Sequence, residues 1–393
     1  MSEIFLDNAS TTRMRKETLD AMAPYFTEYY GNPSSIHSMG RTPRDACKEA
    51  RRTLADIIGA EPEEIFITSG GTESDNWVLN SIARKSGKEK NIVISEIEHH
   101  AIIETAEALE KEGFEIRRVG VDAEGIIDMS ELQKAVDDNT ALVSVMTANN
   151  EIGTIEPIAE ISKIAHSHGA LFHTDAVQAV CHIPVNVKES GIDLLSASGH
   201  KFGGPKGVGF LYIRKGIRLN PFIRGGAQEE GRRAGTTNVP GIIGMAKAAE
   251  LSMENLNEKM ARLSELRDYA IARIEKEIPY CRLNGHRTQR LPGNVNFSYR
   301  FIEGESLLMM LNHGGICVST GSACASGSLD PSHVLLAIGL PHEIAHGSIR
   351  MSLSEDNTKE EIDKAVDVLK SSVERLRSLS PLYEDFVKKG RKD

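Results

Sequence analysis

"DLLSASGHKFGGPKGVGFLYI", residues 193–213, sets two apolar, β-prone runs on either side of a glycine-rich loop that carries a lysine. The runs "DLLSAS" (193–198) and "GVGFLYI" (207–213) read as strands, and Lys201 falls just past the first. Working outward, "EIFIT" (64–68), "NIVIS" (91–95), "ALVSVM" (141–146) and "ALFHT" (170–174) have the same character. Amphipathic segments of helical length, such as 98–112 and 157–168, lie between several of them. Continuous Val/Ile/Leu runs alternating with helices predict an α/β layer on a mainly parallel sheet, its strands buried on both faces. In such sheets ligands sit outside the carboxyl ends of the strands, so the loops after these runs are the place to look for chemistry.

The 393 residues suggest two or three domains, and 40% hydrophobic with 26% charged residues is an ordinary globular composition. A formal net charge of -10 argues against nucleic-acid and anionic-membrane partners, both of which favour a basic surface. The terminal "KKGRKD" reads as a solvated end. Glu3 and Asp7 interrupt the N-terminus before any apolar run develops, unlike a signal peptide, and no stretch approaches the ~18 apolar residues of a membrane span. Cysteines 47, 181, 281, 317 and 324 are odd in number and hold no CxxC pair, which disfavours a disulfide scaffold or a cysteine-rich zinc site. The expectation is a cytoplasmic protein with free thiols.

Leu256, Met260, Leu263, Leu266, Ala270, Ile274 and Ile278 recur every three or four positions, one apolar stripe of a long helix expected to pack between domains. Beyond about residue 280 the pattern restarts with "NVNFSY" (294–299), a helix through "ESLLMMLNH", a short "ICVS", "SIRMSL" (348–353) and a final helix over about 358–379. These predict a second, smaller α/β domain.

Three strand ends carry candidate chemistry. In "FITSGGTESDN" (66–76), Gly70 and Gly71 turn the chain and Thr72 opens a helix, whose first amides and dipole suit an anion. "ALFHTDAVQ" puts Asp175 at the end of an apolar strand, and "LLSASGHKFGGPKG" puts Ser198, His200 and Lys201 after another. A carboxylate there needs a cation, and a desolvated lysine can become a nucleophile. Pyridoxal phosphate makes these demands together: a lysine for the Schiff base, an acid for the pyridinium nitrogen, and donors for the phosphate.

With these residues in place, the chain resembles the cysteine desulfurases of the NifS/IscS type, first group, within the class V aminotransferase-like family of fold-type I pyridoxal-phosphate enzymes. The similarity runs nearly end to end, through "FLDNASTT", "YGNPSSIH", "TSGGTESDN", "EHHAI", "NNEIGTI", "HTDAVQ", "SGHKFGGPKG", "RRAGTTN", "STGSACASG", "HGSIRMSL" and "LSPLYE". It implies a large domain over 16–259 with a mainly parallel seven-stranded sheet. A small α/β domain from 1–15 and 260–393 would carry a mobile cysteine loop, 319–330. Carried over by position, the Schiff-base lysine is Lys201, the ring-nitrogen acid Asp175 and the donor to the ring hydroxyl Gln178. His99 is the imidazole stacked on the ring, with His100 structural beside it. The phosphate contacts are Gly71, Thr72, Ser198 and His200, with Thr236 reaching in from the second subunit of a homodimer. Asn150 and Arg350 hold the substrate carboxylate, a task suited to the guanidinium fork.

The resemblance further implies that L-cysteine condenses with the cofactor and that the thiolate of Cys324 attacks the substrate sulfur. Alanine leaves, and an enzyme persulfide passes to an acceptor, either an iron–sulfur scaffold protein or a tRNA-thiolation partner. In a partner complex Cys324 could also help hold a nascent cluster; no resident metal is implied. A thiol with a pKa near ~8.5 is only a few per cent thiolate at neutral pH, so His99 or the substrate must help deprotonate it. "STGSACASGS" (319–328) lacks a core-facing pattern, and a flexible segment of roughly ten residues spans ~17 Å, enough to carry sulfur outward.

Other readings are weaker. "HEIAH" (342–346) spells a zinc-protease motif, but Pro341 and Gly347 leave little more than one helical turn. A catalytically silent scaffold binding through its carboxyl-terminal helix is disfavoured by the presence of lysine, aspartate, histidine and cysteine together. Transamination needs no cysteine loop, while selenocysteine lysis stays open as a side reaction. Cys47, Cys181, Cys281 and Cys317 read as structural thiols.

Overall fold

A computed structural model describes residues 3–320 and 331–390. Seven strands form the main sheet: β2 (Ile65–Thr68), β3 (Asn91–Ser95), β4 (Glu115–Val119), β5 (Thr140–Ser144), β6 (Leu171–Asp175), β7 (Leu194–Ser198) and β8 (Gly209–Ile213). Their order across the sheet is β2-β8-β7-β6-β5-β3-β4. Only β8 runs against the rest, pairing antiparallel with both β2 and β7. The cause is local: residues 199–208 are all that join β7 to β8, and a parallel crossover needs about a dozen or more.

The apolar runs supply both faces in alternation, as the two-residue period of a strand demands. Ile65, Ile67, Val93, Val143 and Phe172 enter one buried cluster, while Phe66, Ile92, Ile94, Leu142 and Leu211 enter another. Because β2, β3, β5, β6 and β7 are mutually parallel, their carboxyl ends emerge at one edge, where the amino end of β8 also lies. Gly209 allows this edge to close. A Cβ there would lie 2.4 Å from the Ala197 carbonyl oxygen and 2.6 Å from the Gly70 Cα.

The seventh strand, β4, was not among the runs read from the sequence. "EIRRV" is a sheet edge, and its charges explain why it was missed: Arg117 pairs with Glu115 and Asp137, and Arg118 with Glu110. Charged side chains are how edges avoid further pairing.

A smaller α/β unit is built on an antiparallel sheet ordered β12-β10-β9, where β9 is Cys281–Leu283, β10 Asn294–Tyr299 and β12 Ser348–Ser352. Beside it β1 (Ile4–Phe5) pairs parallel with β11 (Ile316–Cys317), tying the N-terminal segment to this unit. The helices Leu256–Glu277, Gly304–His313 and Lys359–Ser378 cover the unit. The apolar stripe of the first of these helices serves two cores. Met260 packs against the large cluster, whereas Leu263, Leu266, Ala270 and Ile274 pack into the small one.

Candidate functional site

The loops at the carboxyl ends of the parallel strands wall a cleft of about 780 Å³. It is lined by Gly71, Thr72, His99, Asn150, Asp175, Gln178, Ser198, His200, Lys201 and Arg350, all singled out in the sequence. The N-terminal segment Asp7–Thr11 forms a further wall. Lys201 reaches this segment, its Nζ donating to the carbonyl oxygens of Ala9 at 2.6 Å and Ser10 at 2.9 Å. Gln178 Nε2 donates to the same Ala9 oxygen at 2.9 Å. Thus one short strand-end loop, held by the turn at residues 7–10, fixes the lysine of the "SGHK" stretch inside the cleft.

Asp175 ends β6 and is 5% exposed, its Oδ1 accepting the Val177 amide at 2.9 Å. Burial pushes its pKa up, and His99 and Lys201 draw it back. A carboxylate so placed suits a cationic ring nitrogen. At the other end of the cleft the helix Gly71–Ser86 begins, with Gly70 at φ 151° and Ser198 Oγ 3.3 Å from where a Gly70 Cβ would be. Glycine is required there, because other residues seldom adopt that φ. Buried Ser198 and partly buried His200 flank those first amides, and His200 Nδ1 hydrogen-bonds Thr11 Oγ1 at 3.1 Å. Burial, then Lys201 and Lys206, push His200 down to about 4, so it is neutral at neutral pH and can donate one N–H. Lysine, acid and anion cradle therefore match the three parts of pyridoxal phosphate, and the donor set fits the cofactor.

His99 caps the helix His100–Lys111, its Nδ1 accepting the Ala101 amide at 3.1 Å. That bond assigns the proton of the neutral ring to Nε2. Burial lowers its pKa, with Lys201 and His100 acting the same way and Asp175 opposing. His100, expected to be structural, also lines the cleft, 5.0 Å ring to ring from His333.

Arg350 is 2% exposed, so a surface salt bridge is ruled out for it. Its Nη1 donates to the Asn150 carbonyl at 3.0 Å, and its Nη2 to Asp7 Oδ1 and Ser10 Oγ, each at 2.9 Å. Asp7 therefore balances a buried guanidinium at the cleft wall.

Cys324 lies outside the described residues, but both approaches to it are fixed at the cleft. Ser319 and Arg350 exchange backbone hydrogen bonds of 3.1 and 2.7 Å. On the far side Ser332 Oγ donates to Glu151 Oε2 at 2.5 Å, and the His333 ring bonds the Glu98 carbonyl at 3.0 Å.

Thr236 does not line this cleft; it is exposed, on the loop before the helix Val239–Met253. "HEIAH" folds as a four-residue helix, His342–Ala345, that ends before its second histidine. Cys47 and Cys181 are buried and Cys281 and Cys317 partly so. Burial pushes the thiols of Cys47 and Cys281 up to about 11 and that of Cys181 up to about 12.

Sequence reasoning gave no role to Asp75, Glu98 or Asp7, all of which line the cleft. Asp75 had a legible signal. It stands three, four and seven residues before Val78, Leu79 and Ile82, on the buried stripe of its helix. Glu98, with no exposure, accepts the Met146 amide at 2.8 Å and had no such signal.

Comparison with known proteins bears on this geometry. Residues 4–365 match the family model described as aminotransferase class-V. A cysteine desulfurase IscS of Dictyoglomus turgidum is 54% identical over 98% of this chain and 98% of its own length. Among solved structures, a NifS-like protein superposes with a TM-score of 0.90 at 38% identity, over 95% of this chain and 100% of the other. The structure described as SspA in complex with cysteine gives 0.79 at 34% identity, over 90% and 99%.

Proposed function

The chain belongs to the class-V aminotransferase family, and we propose that, within it, Lys201 carries the cofactor and Cys324 takes sulfur from the substrate. It is a pyridoxal-phosphate-dependent cysteine desulfurase with a fold-type I architecture. The observation that carries the assignment of residues is a convergence. Lys201, Asp175, His99 and the Gly71–Thr72 helix start share one cleft, and both flanks of the cysteine segment are fastened to its wall at Arg350 and Glu151.

When bound, pyridoxal phosphate supplies an electron sink that weakens bonds around the amino-acid carbon. Asp175 holds the ring nitrogen, Gln178 the ring hydroxyl, and Ser198, His200 and the amides of Gly71 and Thr72 the phosphate. Arg350 and Asn150 hold the carboxylate of L-cysteine. The Cys324 thiolate forms a sulfur–sulfur bond as the substrate carbon–sulfur bond breaks, and the electron pair left on carbon takes a proton to give alanine. His99, a neutral ring at the cleft wall, takes the thiol proton at Nδ1, releasing the Ala101 amide that this nitrogen accepts at rest. Purified protein given cysteine should release alanine and sulfide in equal amounts under reducing conditions; no alanine would refute the reading.

A homodimer completes the site in this proposal, with Thr236 of one protomer reaching the phosphate in the other. Exposed Phe26, Tyr30 and Ile36, at 60%, 69% and 96%, give such an interface apolar surface. The persulfide would pass to an iron–sulfur scaffold or tRNA-thiolation acceptor, in the cytoplasm. No helix among the described residues is long and apolar enough to cross a membrane.

Two outcomes follow from the geometry. Arg350→Lys loses the planar fork and should raise KM for cysteine about tenfold or more, while kcat changes less; steady-state kinetics with unchanged KM would contradict the assignment. The lowered His99 pKa places its protonation below the usual imidazole value of about 6.5. A neutral base is lost only on protonation, so the acid limb of kcat/KM should lie below that value and disappear in His99→Gln, with a rate loss of about a hundredfold. An acid limb above it, or one retained in the variant, would exclude His99.

A further inference from the structure

Asp75 is 1% exposed and lines the cleft, yet among the described residues its Oδ1 has no hydrogen-bond partner. Its Oδ atoms, those of Asp175 and the His99 ring nitrogens include a set lying within 4.8 Å of one another. The nearest imidazole behind it, His173, has Nε2 3.7 Å from Asp75 Oδ1. That ring is not a counter-charge. Its nitrogens are taken up by Ser144 Oγ at 2.8 Å and Ser196 Oγ at 3.1 Å, and burial drives its pKa down to about 3.

Two buried carboxyl groups within 4.8 Å of one another repel as anions, which favours one proton held on the pair. The groups facing the pair decide where it resides. Asp175 has His99 and Lys201 beside it, and both favour its anion. Asp75 has the Ser196 hydroxyl and repulsion from Asp175, while buried Glu98 nearby adds no positive charge. Resting on the cofactor reading above, we propose that Asp75 is a positioning residue for the ring-nitrogen acid: a neutral carboxyl group that leaves Asp175 as the single anion under the cofactor. The protein thus offers the ring nitrogen one negative charge of fixed orientation, although it buries two acids there. Asn in place of Asp75 would mimic the neutral acid in shape and charge.

The test compares cofactor-loaded wild type, Asp75→Asn and Asp75→Ala. Infrared difference spectra between wild type and Asp75→Asn at neutral pH should show the loss of one protonated-carboxyl band. The pH midpoint of the cofactor's visible absorption should move by less than about 0.3 units in the Asn variant. Asp75→Ala should weaken cofactor affinity by about tenfold through loss of support for Asp175, with Asp75→Asn restoring most of it. If Asp75 is instead an anion, no carboxyl band is lost. Removing its charge then lowers that midpoint by about one unit or more, because a negative neighbour stabilises the protonated form. Either result, or an unchanged affinity in Asp75→Ala, overturns the proposal. Wild-type protein that gains no visible absorption with pyridoxal phosphate would instead overturn the cofactor assignment of Lys201, a failure distinct from that of Asp75.

Discussion

Lys201→Ala is expected to lose the pH-dependent visible absorption of the cofactor-loaded protein and to reduce alanine formation by about four orders of magnitude or more. Alanine keeps the backbone of the loop after β7 but removes the amine that Ala9 and Ser10 hold in the cleft. The phosphate contacts and Asp175 are untouched, so the variant should still bind pyridoxal phosphate, more weakly and without a covalent link. Reduction with borohydride separates the outcomes: wild type should retain the cofactor on the peptide containing Lys201, and the variant should retain none. Lys206 also lines the cleft and is the natural competitor. Label recovered on Lys206, or an unchanged spectrum in Lys201→Ala, would contradict the assignment.

Cys324→Ser is expected to leave cofactor loading and spectrum unchanged and to abolish sulfide release, with a loss of about a thousandfold or more. A serine hydroxyl is nearly isosteric but has neither a thiol's acidity nor its affinity for sulfur. The other cysteines cannot stand in. Cys47, Cys181 and Cys281 carry thiols whose pKa burial has raised to about 11 or 12, which keeps them from forming the thiolate that attacks. Cys317 is raised by burial too, with Glu3 and Asp7 adding to the effect, and it lies on the small-unit strand β11. Full alanine production in Cys324→Ser would show that another nucleophile, or another reaction of the same cofactor such as transamination, is at work.

What the sequence disclosed follows the physics of each element. Strands buried on both faces are continuous apolar runs, and six of the seven were legible as such. β4 was not, because an edge strand with Arg117 and Arg118 has no apolar run to read. Residues of the site were visible where they stood directly after a strand, as Asp175, Ser198 and Lys201 do. Their neighbourhood followed from the parallel sheet, which puts strand ends together. Assigning Gln178, Thr236 and Arg350 needed the family resemblance, since an amide, a hydroxyl or a guanidinium in a loop carries no periodic signal. The burial of Arg350 and its pairing with Asp7 depend on contacts between residues 343 positions apart, which no local pattern reports. Asp75 stood on a readable helical stripe, but its nearness to Asp175 is set by how that helix lies across the sheet.

The claim on which the rest depends is that sulfur leaves cysteine onto Cys324 within the cleft that holds Lys201. Mass spectrometry of peptides after a single turnover, with cysteine limiting and no reductant or acceptor present, tests it directly. One added sulfur atom on the peptide containing Cys324, together with one equivalent of alanine, is the predicted result. Sulfur carried on any other cysteine, or alanine formed with Cys324 unmodified and no sulfide released before it, would contradict it.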